Sequence, residues 1–202
     1  RLWILDQLQP GSTEYLMTAA LRLRGELDLA ALRTALDGTV ARHEVLHTRY
    51  PVVDGEPVQL IDEPGPVPLT ELDLRGSDRE RADARLAALV TSERLPVDLA
   101  TGPVLSATLV RLDRDEHALL LTFHHIASDG WSEDLLVAEV AARYGDAVAG
   151  RPTAEPQSPL QYADFAVWQR ERLSGELLER QLVHWRERLA GLEPLELPTD
   201  RP

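Results

Sequence analysis

Cysteine is absent from the 202 residues, which excludes a disulfide framework and any thiolate-bound metal. Positive charge is scarce. Lys and Arg number 21 against 34 Asp and Glu, a formal net charge of −13, and a chain of that sign repels phosphate backbones unless a basic stripe offsets it. No such stripe is visible, so nucleic acid is not an expected partner. Nothing in the chain approaches the ~18 consecutive apolar residues of a membrane span, and no charged leader precedes an apolar stretch. The sequence therefore shows neither a span nor a signal peptide, and the cytoplasm is the expected compartment.

What is present is an ordinary globular composition, 44% hydrophobic and 27% charged. The chain is long enough to bury about 70% of its unfolded surface in one or two domains. The opening Arg1-Leu2-Trp3-Ile4-Leu5 has neither Met nor a polar lead-in and reads as the interior of an element, as in a piece cut from a longer chain. Apolar residues alternate from Met17 to Arg24, with Ala19, Leu21 and Leu23 on one parity, which is strand spacing. Asp28 caps a helix on which Leu29, Leu32, Leu36 and Val40 recur at helical intervals, running into Arg42-His43-Glu44. An extended piece is expected from Leu46 to Val53, a hairpin turn at Asp54-Gly55, and a return strand over Val58 to Ile61.

Glu63 to Leu74 holds three prolines and little periodicity and reads as loop. Ser77 and Glu80 suggest a capping box opening a helix to about Leu95. Val104 to Leu112 and His117 to His125 read as a hairpin around Asp113-Arg114-Asp115-Glu116, and the second strand is apolar enough to be covered on both faces. Ser132 is the expected N-cap of a helix to about Val148. Ser158-Pro159 is read as opening another, with Gly175 as an interruption and Leu178, Leu182, Trp185 and Leu189 as a continuing stripe. The tail from Leu192 to Pro202 reads as a linker. No repeat is evident, and the mixture of strands and helices makes the class α/β or α+β.

Polar groups concentrate in Phe123-His124-His125-Ile126-Ala127-Ser128-Asp129-Gly130-Trp131-Ser132, where a buried strand gives way to a helix. Neighbouring side chains on a strand point to opposite faces, so His124 and His125 do not face one metal together. The same geometry allows one imidazole to be anchored in the fold while the other faces a cleft and accepts a proton. Parity leaves open which is which, and both are also compatible with satisfied core or rim histidines. Gly130 precedes the expected helix start, where free N–H groups favour an anion, or else it serves a tight turn. Asp129 either orients a histidine or pairs with an arginine. Trp131, Tyr162, Phe165 and Trp168 are expected in the core, and His117 and His184 on the surface. Arg42 and Glu44 are either an ion pair bracing the loop or a solvated helix end.

These residues resemble the condensation domains of nonribosomal peptide synthetases. His124 through Ser132 is similar to the HHxxxDG signature with its trailing Trp-Ser. Arg1-Leu2-Trp3 with Leu5 resembles the truncated opening motif, Arg42-His43-Glu44-Val45-Leu46-His47-Thr48 the RHExLRT motif, and Tyr162 to Trp168 the YxDFAxW motif. His47 stands where the family usually has Arg, and the later motifs of a second lobe are not in the chain. The resemblance implies a chloramphenicol-acetyltransferase-like lobe, a mixed β-sheet flanked by helices. On that reading residues 1–191 form the N-terminal lobe of a condensation domain, and 192–202 begin the linker to a C-terminal lobe.

The implied reaction is amide formation between an acyl or peptidyl thioester on an upstream carrier protein and the amine of an aminoacyl group on a downstream one. Both substrates ride on phosphopantetheine arms, with no cofactor or metal bound directly. The resemblance assigns catalysis to His125, with His124 and Asp129 architectural and Gly130, Trp131, Ser132 and Arg42 shaping the site. The isolated piece is expected to be inactive and to self-associate through the surface its partner lobe covers. Two alternatives stand beside this: a free-standing acyltransferase of the same superfamily, and a noncatalytic lobe that recruits a carrier protein or tailoring enzyme.

Overall fold

The computed structural model describes residues 2–91, 95–153 and 160–193. The chain divides into two units, Arg1–Pro159 and Leu160–Pro202. In the first, α1 (Leu2–Leu8) precedes β1 (Leu16–Arg24), and α2 (Leu29–Arg42) follows. Strands β2 (Thr48–Arg49), β3 (Val52–Val53), β4 (Glu56–Pro57) and β5 (Leu60–Ile61) are short, β6 spans Leu69–Asp73 and α3 Arg79–Thr91. The unit continues with β7 (Leu105–Asp113), β8 (Glu116–His124) and α4 (Gly130–Val148).

The main sheet has the order β1-β8-β7-β6. Strand β8 lies antiparallel to β1 and β7, and β6 runs parallel to β7, so the sheet is mixed. The central place of β8 explains its near-continuous apolar run: Ala118, Leu119, Leu120, Leu121 and Phe123 are all buried. On β1 the alternation is kept, with Met17, Ala19, Leu21 and Leu23 in the core while Arg22 and Arg24 are exposed. Helices α2 and α4 contribute Leu32, Ala35, Leu36, Val40 and Val140 to that core. Asp28 caps α2 as expected, its carboxylate accepting from the Ala31 N–H at 3.0 Å.

Several expectations need correction. The region read as loop contains β6, a five-residue edge strand. Its Leu69 and Leu72 fall on opposite faces and most of it is exposed, so it carries no alternating signal. The extended piece from Leu46 begins instead with a 3₁₀ turn over Glu44–His47. The Asp54-Gly55 turn is present with both residues at positive φ, 53° and 84°, as a two-residue type I′ hairpin requires. Its return strand splits, however: β4 pairs with β3, and β5 pairs with β2. Asp78, not Ser77, caps α3, accepting from the Arg81 N–H at 2.8 Å.

His117 is not a surface residue. It sits on the central strand, 3% exposed, and both ring nitrogens are enclosed without a hydrogen-bond partner among the described residues. The flanking charges mislead here, because strand position rather than neighbouring charge decides burial.

In the second unit α5 (Tyr162–Arg172) and α6 (Gly175–Leu189) are separated at Gly175, as expected, which adopts φ 53°. The anticipated start at Ser158-Pro159 and the tail beyond Glu193 lie outside the described residues. Within them, α5 opens on a capping box between Gln161 and Asp164. The aromatics expected in the core are exposed: Tyr162, Phe165 and Trp168 are each at least 44% accessible. They pack on one another instead, ring centroids 5.9 and 5.7 Å apart, and Arg172 lies over Trp168 at 5.9 Å. The stripe on α6 keeps its spacing, but Leu178, Trp185 and Leu189 also remain exposed.

Candidate active site

Strand β8 ends at His124 and α4 begins at Gly130, so five residues carry the chain from sheet to helix. The two histidines part at this point. His124 is 3% exposed, and its Nδ1 accepts the Ile126 backbone N–H at 3.0 Å. That bond places the ring proton on Nε2, and burial pushes the imidazole below the usual histidine range, so His124 is a neutral, anchored ring. His125 is exposed. Its backbone N–H is tied to the Tyr15 carbonyl at 2.8 Å, and no hydrogen bond reaches its ring among the described residues. The ambiguity that strand parity left open is therefore resolved in favour of His125 as the outward group.

The loop beneath is well held. Ile126 and Ala127 pack against a second apolar cluster of Tyr50, Leu99 and Val104, joined by Trp3. Trp3 also donates its indole N–H to the Tyr50 carbonyl at 3.2 Å. Thus the opening motif, the segment just after His47 and the histidine loop meet in one place. Ser128 is buried at 7% exposure, and its hydroxyl has no partner among the described residues.

Among the described residues Asp129 neither pairs with an arginine nor hydrogen-bonds a histidine. It is the N-cap of α4, accepting from the Ser132 N–H at 2.8 Å and the Ser132 hydroxyl at 2.7 Å. Those bonds hold its carboxyl below the usual range, with the nearby His125 charge a minor contribution. Ser132, expected as the cap, is its partner; the helix starts earlier than expected because Asp is as good a cap as Ser. Gly130 is the first helical residue. A Cβ built there meets nothing within 4 Å, and its φ is not left-handed, so no turn or packing constraint in this unit requires glycine. Trp131, expected in the core, is 82% exposed.

Arg42 lies at the junction of α2 and α4. Its Nε lies 3.9 Å from Glu139, whose carboxylate also meets His43 Nε2 at 2.7 Å and Arg143 Nε at 2.8 Å. Burial alone would raise the Glu139 carboxyl, but the bonds from His43 and Arg143 and their charges outweigh it and hold it below its ordinary value. Sequence reasoning missed Glu139, although its i, i+4 spacing to Arg143 was a readable signal. His47 donates Nδ1–H to the Asp62 carbonyl at 2.6 Å. The guanidinium nearby is that of Arg49, which forks onto the Asp62 carboxylate through Nε and Nη2. Among the described residues no cluster of three His, Asp or Glu side chains has metal-site geometry, and no helix is long and apolar enough to cross a membrane.

The Condensation domain family profile matches residues 1–202. The chain is 45% identical over its full length to a linear gramicidin synthase of Brevibacillus parabrevis, and 45% identical to the phosphinothricin tripeptide synthetase PhsC of Streptomyces viridochromogenes. It spans 3% and 19% of those two proteins. Among solved structures, the X-domain in complex with OxyB from teicoplanin biosynthesis superposes with a TM-score of 0.86 at 37% identity, over 99% of this chain and 44% of that one. The starter condensation domain of the rhizomide synthetase shares the fold, with a TM-score of 0.82 at 21% identity over 95% of this chain and 46% of that one. An outward histidine beside an anchored one, on a capped strand-to-helix loop within this mixed sheet, thus has its counterpart in sequence: the chain belongs to the condensation-domain family of nonribosomal peptide synthetases.

Proposed function

We propose that this chain is the N-terminal half of a condensation domain that forms amide bonds, with residues 1–191 as the lobe and 192–202 as the start of the connection to a C-terminal lobe. The observation that carries this reading is the opposed pair at the end of β8: His124 buried and His125 exposed. The amine of an aminoacyl group on a downstream carrier protein attacks the thioester carbonyl of a donor on an upstream one. The C–N bond forms, the C–S bond breaks, the nitrogen gives up a proton and the thiolate gains one. Phosphopantetheine arms deliver both substrates, and the C-terminal lobe supplies the opposite wall.

His125 is assigned the proton-accepting and amine-orienting role. Its share of the rate is bounded by physical chemistry. A model α-amine titrates near pH 7.7–8.0, so about a tenth is already unprotonated at neutral pH. Positioning is worth up to about 7–11 kcal/mol, against about 10²–10⁴-fold for a general base. Asp129 and Ser132 hold the loop, Gly130 keeps the helix end open, and Trp131 faces outward beside it. In the full two-lobed domain, His125→Ala is expected to slow single-turnover condensation by about 10²–10⁴-fold. Undiminished product formation removes His125 from the mechanism.

A second reading draws on the similarity to the X-domain found in complex with OxyB: a lobe that recruits a partner without catalysis. Tight binding of loaded carrier proteins or of a tailoring enzyme by the full domain, with no turnover, supports that reading instead.

A further inference from the structure

At the far end of the sheet from the histidine loop, β1, α2, β8 and α4 enclose a cavity of about 410 Å³, within the size range of small-molecule sites, about 300–1,000 Å³. Its walls are apolar, formed by Leu21, Leu23, Leu32, Leu119, Val137 and Val140. Leu119 precedes His124 by five strand residues, so about 17 Å separates the cavity floor from the loop.

The rim is polar and supplies a donor. Tyr144 uses its hydroxyl oxygen to accept the Asp28 N–H at 3.0 Å, which leaves its own O–H proton without an acceptor among the described residues. Arg22 and Arg24 lie on the opposite face of β1, Arg22 paired with Glu116 and Asp83 of α3, so the Tyr144 hydroxyl is the donor on this rim. Glu26 stands on the same rim and disfavours a full negative charge beside it. A head group that suits one hydroxyl donor beside a carboxylate is a neutral carbonyl oxygen.

We propose that this cavity binds a medium-length aliphatic acyl chain, its tail among the leucines and valines and its carbonyl oxygen accepting from the Tyr144 hydroxyl. The site does not depend on the reaction assigned to His125. Calorimetric titration of the full two-lobed domain with hexanamide, octanamide and decanamide, and with the matching carboxylates, tests it. Affinity for the amides is expected to rise about fourfold per added methylene, the equivalent of ~0.8 kcal/mol per buried CH₂. Tyr144→Phe is expected to weaken every amide by about threefold to tenfold, the worth of one hydrogen bond. Ala141→Trp, at an exposed position lining the cavity, is expected to abolish binding while single-turnover condensation is unchanged. Absence of binding by all probes overturns the proposal. So does binding that survives Ala141→Trp with the same chain-length dependence, which places the chains elsewhere, or binding of the carboxylates alone, which contradicts the neutral head group.

Discussion

His43 Nε2 and Glu139 Oε2 lie 2.7 Å apart, fastening the C-terminal end of α2 to the middle of α4. The same carboxylate holds the buried Arg143 guanidinium. Gly38 makes room for that guanidinium, since a Cβ there would lie 2.9 Å from Arg143 Nη1. Helix α4 is thereby anchored to the helix that shares its core, and its first turn carries the Asp129 cap. Removing one partner of a buried ion pair costs about 3–5 kcal/mol because the other charge stays behind. Glu139 retains some water access, so Glu139→Ala is expected near the lower end, about 3 kcal/mol, and Glu139→Gln less. Urea unfolding checks this; a loss below ~0.5 kcal/mol for the alanine variant contradicts the anchoring role.

Acid stability separates the buried histidine from the carboxylates. The folded-state pKa of His124 is depressed by burial, so the unfolded chain takes up the proton first. The sign follows: stability is complete above the unfolded value of about 6.5 and declines as pH falls below it. Carboxylates held low in the folded state, Glu139 and Asp129 among them, add to the decline only as pH approaches their unfolded values of about 4. Between pH 6.5 and 5 the loss is therefore expected to be dominated by histidine. His124→Asn, whose Oδ1 can accept the Ile126 N–H, is expected to flatten that segment of the stability curve. An unchanged slope assigns the proton uptake to another group.

How far the sequence reached depended on whether a residue's role was set locally. Strand β1 and helix α2 were legible because alternation and the 3.6-residue period survive wherever one face is buried and the other wet. Strand β6 was not, because a parallel edge strand is fixed by its neighbour β7 rather than by its own pattern. His117 looked exposed from its charged surroundings, yet the central place of β8 buries it. Trp131 looked like core from its type, yet it is exposed in the first turn of α4. The histidine pair stood out in the sequence, but strand parity left open which ring turns inward, and the folded backbone buries His124 and exposes His125.

The Asp129 cap is the simplest part of the site to test by itself. Its carboxylate accepts the Ser132 N–H in the first turn of α4, and losing such a cap costs about 1 kcal/mol within a range of about 0.5–2. Asp129→Ala is expected to lower the unfolding free energy by that amount, and Asp129→Asn to recover most of it. If the asparagine variant is as unstable as the alanine variant, charge at the helix terminus matters more than the hydrogen bonds.

Gly130 offers the sharpest separation of structure from function. Within this unit an added methyl meets open space, and alanine is the better helix former by about 1 kcal/mol in a helix interior. Gly130→Ala is therefore expected to leave the unfolding free energy unchanged or slightly raised. Where a tethered substrate and a second lobe must come close to the start of α4, the same methyl takes up space they need, and condensation in the full two-lobed domain is expected to fall. Stability by urea unfolding and single-turnover product formation, measured on the same variant, decide the matter. A stable variant with full turnover shows that the glycine serves neither fold nor reaction, whereas a variant that unfolds more readily shows a backbone constraint and removes Gly130 from the site.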